Sequence, residues 1–512
     1  MTFRQIFIRK IVYLGIIAVL LLPLFWLGQP ATVGARGVSG GPGGLLAQLR
    51  TEYGLSEAEL GEIDPTSEAM RLATLGLRGV AANILWKQAD THKMKKDWTS
   101  LSATLEQLVK LEPHFISVWR FQAWNLSYNV SAEFDDYRKR YDWVIRGIEF
   151  LKKGIRYNEF EPKLVWDTGW FIAQKIGRAD EWKQFRRLFR DDDDFHATRP
   201  KELRDNWLVG KEWFQRGEQM VDQGAVLRGI SPLLFYSDRP MCQMNYSEYL
   251  ERDGIFGERA KRSWVRALEE WLEFGNREFP TSGDEVIRLN DREALDRQVA
   301  EAAARLDELA PGLREKIRQE KLRRLTPEER IALETLPQER TVEQQMQAFQ
   351  AEAKITVSHR EVAQRISGPN RQEALRLADE AEKAMEKSER IVQQRTIVNF
   401  EYWRMRAQFE QTPQALEARE LIYLGDEAFR NSDLIRAKEY YDKGLAKWRE
   451  LLDLPEFPQL VKDGSTGREL LDIIRNYQRI LDARDEPWPQ PFILQDVIDL
   501  HKDRHPDFQV PQ

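Results

Sequence analysis

The stretch SEAMRLATLGLRGVAANILWKQADTHKMKKDWTSLSATLEQLVKLEP, Ser67 to Pro113, decides the fold. Leu72, Leu75, Gly76, Gly79, Ala82, Asn83 and Trp86 recur at spacings of three and four, which puts apolar or small side chains on one face of a helix. Gly76 and Gly79 are expected to let a neighbouring helix approach closely, at some cost in helix propensity. A polar break at 95–97 follows. Leu101, Leu105, Leu108 and Leu111 build a second apolar face, and Pro113 stops that helix. The stretch reads as two helices joined by a turn and closed by proline.

The same unit returns downstream. Val118, Trp119, Phe121, Trp124 and Leu126 mark a first helix, and Trp143, Ile145, Gly147, Ile148, Leu151, Gly154 and Ile155 a second, closed by Asn158 and Pro162. A third, shorter unit runs through Trp166, Trp170, Ile172 and Ile176, then Trp182, Phe185 and Phe189, and ends in the acidic run Asp191–Asp194. Ten of the sixteen tryptophans fall between Trp86 and Trp213, which predicts an aromatic-rich core. Near the other end, ALEARELIYLGDEAFRNSDLIRAKEYYDKGLAKW places Gly425 twelve residues before Ala437, followed by Tyr441 and Gly444.

These paired helices resemble tetratricopeptide repeats, whose second helix sets a small residue, a large one four later and a small one three after that. Gly147, Leu151 and Gly154 match, as do Ala437, Tyr441 and Gly444. The resemblance covers 67–195 and 412–453. It departs from the family at Leu101 and Leu108, where small residues belong, and at the missing proline after Gly444. The interval from Leu101 to Gly147 also exceeds the family's repeat of about 34 residues. The resemblance implies an all-α chain of stacked helical hairpins, an α-solenoid whose concave face suits a peptide or protein chain.

Other segments differ in character. Residues 222–247, DQGAVLRGISPLLFYSDRPMCQMNYS, lack helical periodicity and read as a packed aromatic loop. Gly254 to Gly275 returns to helix, with Trp264, Ala267, Leu268 and Trp271 on one face. Residues 290–365 are densely charged and cut by Pro311, Pro327 and Pro337 into short helices. A longer helix is expected over 372–403, with Ala374, Ala378, Ala381, Met385, Ser388 and Val392 as a seam against one neighbour. One more amphipathic helix spans Leu470 to Leu481. The organisation is an anchor at 1–27, a tether at 28–48, repeats over 49–221, the aromatic loop and a hairpin over 222–289, the charged segment 290–410, a C-terminal hairpin and helix over 411–485, and a tail from 486 to 512.

The N-terminus decides location. Arg4, Arg9 and Lys10 precede IVYLGIIAVLLLPLFWL, an uncharged run from Ile11 to Leu27. As a helix it would span about 25 Å at about 1.5 Å per residue, near the short limit for a hydrocarbon core of about 30 Å. The basic flank predicts a cytoplasmic N-terminus and an extracytoplasmic body, with Trp26 at the interface. The alternative is a cleaved signal peptide, whose apolar region is usually about 7–15 residues; the chain would then be secreted. Residues 28–47 are rich in Gly and Pro and form a flexible spacer.

Composition narrows the chemistry. Charged residues make up 31% and the net charge is −6, which argues against a general nucleic-acid binder. One cysteine, Cys242, permits no intrachain disulfide and no thiolate zinc site. Met241-Cys242-Gln243-Met244 is the one soft-ligand cluster, and ordinary packing is expected of it. His501 and His505 lie in HKDRHPD, read as a solvated tail. Asp191–Asp194 lacks the alternation and glycine of a calcium loop and reads as a charged turn. Glu112 and His114, with Asp135, Asp136 and Asp142, are not placed together by any motif. No cofactor, metal or catalytic residue is expected.

The expected function is a membrane-anchored scaffold or adaptor that binds protein or peptide partners outside the cytosol. Tyr128, Arg138, Tyr141 and Trp166 are its candidate groove contacts, and Arg228, Tyr236, Arg239 and Tyr246 those of the aromatic loop. The competing expectation is a cell-envelope enzyme with a pocket at residues 228–247, built on carboxylates near Asp238.

Overall fold

The computed structural model describes residues 78–281, 285–505 and 508, with the isolated positions 19, 45 and 48. Apart from those three positions, the expected membrane run, the tether and the residues up to Leu77 lie outside them. The chain divides into two compact units after Ser231. Both are helical, and the one strand pairing among the described residues is the two-residue pair Phe279–Pro280 with Val286–Ile287.

Unit one begins with the pair α1 (Arg78–Met94) and α2 (Trp98–Leu111). Asp97 starts α2 by accepting from the Ser100 amide at 3.1 Å, which satisfies one of the orphan donors of a helix N-terminus. Leu101, Leu105, Leu108 and Leu111 are all buried. Next, α3 (Ile116–Trp124) packs on α4 (Tyr137–Tyr157). Asp136 caps α4 through the Arg138 amide. The sequence Glu161-Pro162 opens α5 (Pro162–Trp170) with proline in the first turn, where its missing N–H costs nothing. Both α3 and α5 run on into π-helical turns, Asn125–Val130 and Phe171–Lys175. Then come α6 (Trp182–Asp191) and α7 (Asn206–Asp222), and α5 packs against both α4 and α7.

Contact between α3 and α4 is close because α4 carries glycine where α3 crosses. A Cβ at Gly147 would collide with Ser127 Oγ and lie 2.8 Å from the Ala123 carbonyl oxygen; one at Gly154 would meet the Trp119 ring at 2.9 Å. Trp119 is fixed there, donating from Nε1 to the Pro113 carbonyl at 2.7 Å, and Asn158 donates to that carbonyl at 2.9 Å. Among the described residues, a Cβ at Gly79 would meet nothing within 4 Å, and Gly76 lies outside them.

Unit two opens on a correction. The expected aromatic loop is largely a helix, α8 (Pro232–Arg252), with Pro240 inside it. Helical periodicity is missing because α8 is covered on nearly every side: Phe235, Tyr236, Arg239, Cys242, Gln243, Met244, Ser247, Leu250 and Glu251 are all buried. A helix enclosed all round shows no polar face. Pro240 forgoes one backbone bond, and packing on α9 (Glu258–Gly275) supports it. There Gln243 donates to Ser263 Oγ at 3.0 Å, and the Ser247 and Ser263 hydroxyls lie 2.7 Å apart.

The charged segment folds into α10 (Arg292–Leu309), α11 (Leu313–Leu322), α12 (Pro327–Glu334), α13 (Val342–Ile355) and α14 (His359–Arg365). Thr326/Glu329, Thr341/Gln344 and Ser358/Glu361 form reciprocal capping boxes. The long helix α15 (Arg371–Ile397) packs along α10 through Ala374, Ala378, Ala381 and Ser388. Met385 and Val392, expected in that seam, are 39% and 37% exposed, while Leu377, Ala384 and Ile391 lie inside. Asn399 adopts the left-handed region (φ 50°) and breaks the chain into α16 (Phe400–Glu410). The last hairpin is α17 (Pro413–Arg430) with α18 (Leu434–Leu452), followed by α19 (Gly464–Ala483) and α20 (Gln495–His501). The expected solvated tail is corrected at His501, which is fully buried with Nε2 2.7 Å from the Val461 carbonyl, while Asp503 and Arg504 are exposed.

Glycine geometry gives opposite signs to one substitution. Gly147→Ala should destabilise unit one by about 1–3 kcal/mol through overpacking. Gly79→Ala should be neutral or stabilising, by up to about 1 kcal/mol of helix propensity. Urea unfolding of the two variants beside the parent measures both.

Candidate functional site

The residues singled out in the sequence do not converge. In unit one, Tyr128 is half-buried beneath the Lys175 ammonium, 4.2 Å from its ring centre, and burial pushes its phenol up to about 12. Arg138 lies exposed over the Tyr137 ring at 4.6 Å. Tyr141 is buried and donates to Asp192 at 2.8 Å, so its hydroxyl is committed to the core. Trp166 packs tilted against Phe214 with the Lys163 ammonium 3.5 Å above it. Arg228 is exposed near the end of the unit. In unit two, Tyr236 is buried against Phe235 and Phe279, and Arg239 donates to Glu273 at 3.1 Å. Tyr246 stands 3.5 Å from Arg259.

The surface feature that does gather chemistry in unit one is a groove between the C-terminal half of α4 and α7. One cavity of about 510 Å³ is lined by Ile155, Arg156, Glu159, Phe160, Arg216 and Met220, with Gln223 and Ala225 at its end. A second of about 370 Å³ adjoins it, sharing Ile155, Arg156 and Arg216 and adding Glu149, Lys152, Lys153 and Trp213. Lys152 is paired with Glu149 at 2.7 Å. Arg216 lies over the Trp213 ring at 5.3 Å. Sequence reading missed this site. The adjacent basic residues 152, 153 and 156 are its only local signal, and Arg216 joins them only through the fold.

Unit two holds a buried ionic cluster. Arg419 of α17 donates from Nε and Nη2 to Glu410 at 2.6 and 2.5 Å, and from Nη1 and Nη2 to Glu469 at 2.5 and 3.1 Å. Arg406 of α16 faces Glu410 and Glu248, each at 3.3 Å. Arg252 pairs with Glu248 at 2.5 Å. Glu251 of α8 accepts from Trp264 Nε1 at 2.7 Å and lies 3.7 Å from Arg419. The two central guanidiniums lie over Trp264 and Trp448. Three cations thus face four carboxylates.

Glu251 is the carboxylate left over. Burial, and then the charge of Glu410, push it up to about 8 against the pull of Arg419 and Trp264. Burial also works against ionised Glu469, but the Arg419 charge and hydrogen bonds outweigh it and hold that group at about 2. A small cavity of about 200 Å³ adjoins the cluster, with Phe256, Tyr423 and Asp426 on its wall. Glu248, Glu410 and Glu469 are held by arginine, and Asp426 accepts from the Tyr441 hydroxyl at 2.5 Å. The arrangement ties α8, α16, α17 and α19 together.

The pH dependence follows from the sign of the Glu251 shift. When folded, Glu251 keeps its proton up to about pH 8; when unfolded, it releases it near 4.5. Between those limits the folded chain binds more protons, so stability falls as pH rises through that window and levels off above it. Glu251→Gln should flatten this slope. Urea unfolding followed from about pH 5 to about pH 9 checks it, and an unchanged slope would assign the dependence elsewhere.

Among the described residues there is no group of three or more His, Cys, Asp and Glu able to hold a metal ion, and no helix is long and apolar enough to cross a membrane. Cys242 is free and buried. No family model matches the chain, and no curated protein matches it.

Proposed function

We propose that this protein is a membrane-anchored, tetratricopeptide-like adaptor that holds protein or peptide partners on the extracytoplasmic side. The observation that carries this reading is the α4–α7 groove: open, continuous over two adjoining cavities, and walled by helices. Such a site suits an extended chain better than a small substrate. Helix pairing supports the repeat likeness, because glycines at the family's small positions meet large partners. A Cβ at Gly154 would meet Trp119, and one at Gly444 would meet Ile422. Anchoring rests on the apolar run 11–27 and its basic flank. A partner held near the same membrane would meet the groove at raised effective concentration.

The enzyme alternative needs a pocket around 228–247. The cavities described above are lined elsewhere, and Tyr236, Arg239 and Gln243 are packed within α8.

Two measurements test the reading. Protease added to right-side-out vesicles should digest the body, while inside-out vesicles should protect it; the reverse pattern overturns the topology. A photo-crosslinker at Met220 should give protein-sized adducts in those membranes, whereas one at exposed Glu106 of α2 should give none. Equal labelling from both sites, or none from Met220, overturns the adaptor.

A further inference from the structure

We infer that the α4–α7 groove takes an acidic, extended polypeptide segment bearing apolar side chains between its carboxylates. This rests on the adaptor reading above and specifies the partner's chemistry.

Positive charge on the groove is unspent. Among the described residues of unit one, Arg186 pairs with Asp205 at 2.8 Å, Arg199 with Glu212 and Arg204 with Asp193, whereas Arg138, Arg146 and Arg187 stand exposed without a carboxylate partner at separate places on the surface; only on the groove do three unmatched cations gather. Lys153, Arg156 and Arg216 all line the groove, and none has a carboxylate partner among the described residues. Glu149 is already paired with Lys152, which leaves Glu159 as the one uncommitted carboxylate on the wall. The C-terminal dipole of α4 explains in part why basic residues collect at 152, 153 and 156. It does not explain Arg216, which lies in the interior of α7 and whose guanidinium is spread over Trp213. Guanidiniums match carboxylates with two parallel hydrogen bonds, so Arg156 of α4 and Arg216 of α7, which line the same cavities, offer two places for acceptors.

The groove also has an apolar lining. Ile155 forms a buried floor, Phe160 is 65% exposed, and Met220 is half-buried. Methionine adapts its shape to varied side chains. A lone inorganic anion would use the cations and leave these surfaces wet. Two adjoining cavities of about 510 and 370 Å³ instead suit successive side chains of one strand of polypeptide.

The test uses the full-length protein and three fluorescein-labelled peptides, repeats of Glu-Glu-Leu-Gly, Gln-Gln-Leu-Gly and Lys-Lys-Leu-Gly, read by fluorescence anisotropy. The acidic peptide should bind about tenfold more tightly than the glutamine peptide, and added salt should weaken it. The lysine peptide should bind least. The combined variant Lys153→Glu, Arg156→Glu, Arg216→Glu should lose acidic-peptide binding with its circular dichroism unchanged. Should it unfold, the Gln versions at the same three positions replace it. Binding of the glutamine or lysine peptide as tight as that of the acidic one, lost in the Met220→Ala variant, would overturn the acidic preference while sparing the adaptor. Acidic-peptide binding that the charge variants leave intact would place it elsewhere and overturn the inference. Failure of all three peptides to bind would overturn the inference and the adaptor reading together.

Discussion

A helix in water can hide only the stripe that a neighbour covers, and in this protein the coverage depends on how near two backbones can come. Between α3 and α4 the limit is set at Gly147, where the opposing surface is the Ala123 carbonyl and Ser127, and at Gly154, where it is the face of Trp119. Trp119 is in turn tied to the Pro113 carbonyl. The turn that ends α2, the indole that fills the next interface and the glycine that admits it therefore form one mechanical unit. The α4–α7 groove inherits its geometry from this, since α4 is fixed on one side by α3 and on the other by α5, which also carries α7.

Helices defined by one apolar stripe could be read directly. Leu101 to Leu111, Gly147 to Ile155 and Leu470 to Leu481 sit where their periodicity puts them. Proline punctuation was equally legible: α10 ends before Pro311, and α12 starts at Pro327 behind a capping threonine. What failed was the enclosed helix. In α8 polar and apolar residues are buried alike, because Gln243, Ser247 and Glu251 find partners on α9 and α17. Its pattern carries no period to detect. The long seam of α15 drifted for a related reason: a straight helix of 3.6 residues per turn does not keep a strict heptad facing one neighbour, so Ile391 replaces Val392 on the inside.

Sites were less legible than elements because both are assembled across long sequence separations. Arg419 bonds Glu469 across fifty residues, and Arg216 shares a groove with Arg156 across sixty. Aromatic and basic residues attracted attention in the sequence as groove contacts. Yet Tyr141 and Tyr236 are core residues whose polar ends or ring faces are already engaged, by Asp192 and Arg277. A buried tyrosine and an exposed one have the same local signature; only its neighbours distinguish them.

The two charged places balance their charge in different ways. Within unit two, Glu251 and Glu410 are buried, so the odd carboxylate of four against three guanidiniums cannot be left ionised cheaply there. Burial and the Glu410 charge favour the protonated form of Glu251, whose carboxyl accepts a hydrogen bond from Trp264. Replacing that group with an apolar side chain would leave Trp264 without an acceptor, which is costly in a buried site. On the α4–α7 surface the imbalance has the opposite sign, and water is present to solvate it. There Lys153, Arg156 and Arg216 line the groove without a carboxylate partner among the described residues, so a carboxylate of the proposed partner would meet them without first breaking an internal ion pair. On the adaptor reading proposed above, rim charges would act mainly on how fast partners meet and on salt dependence, and the apolar floor at Ile155 and Met220 on how long they stay.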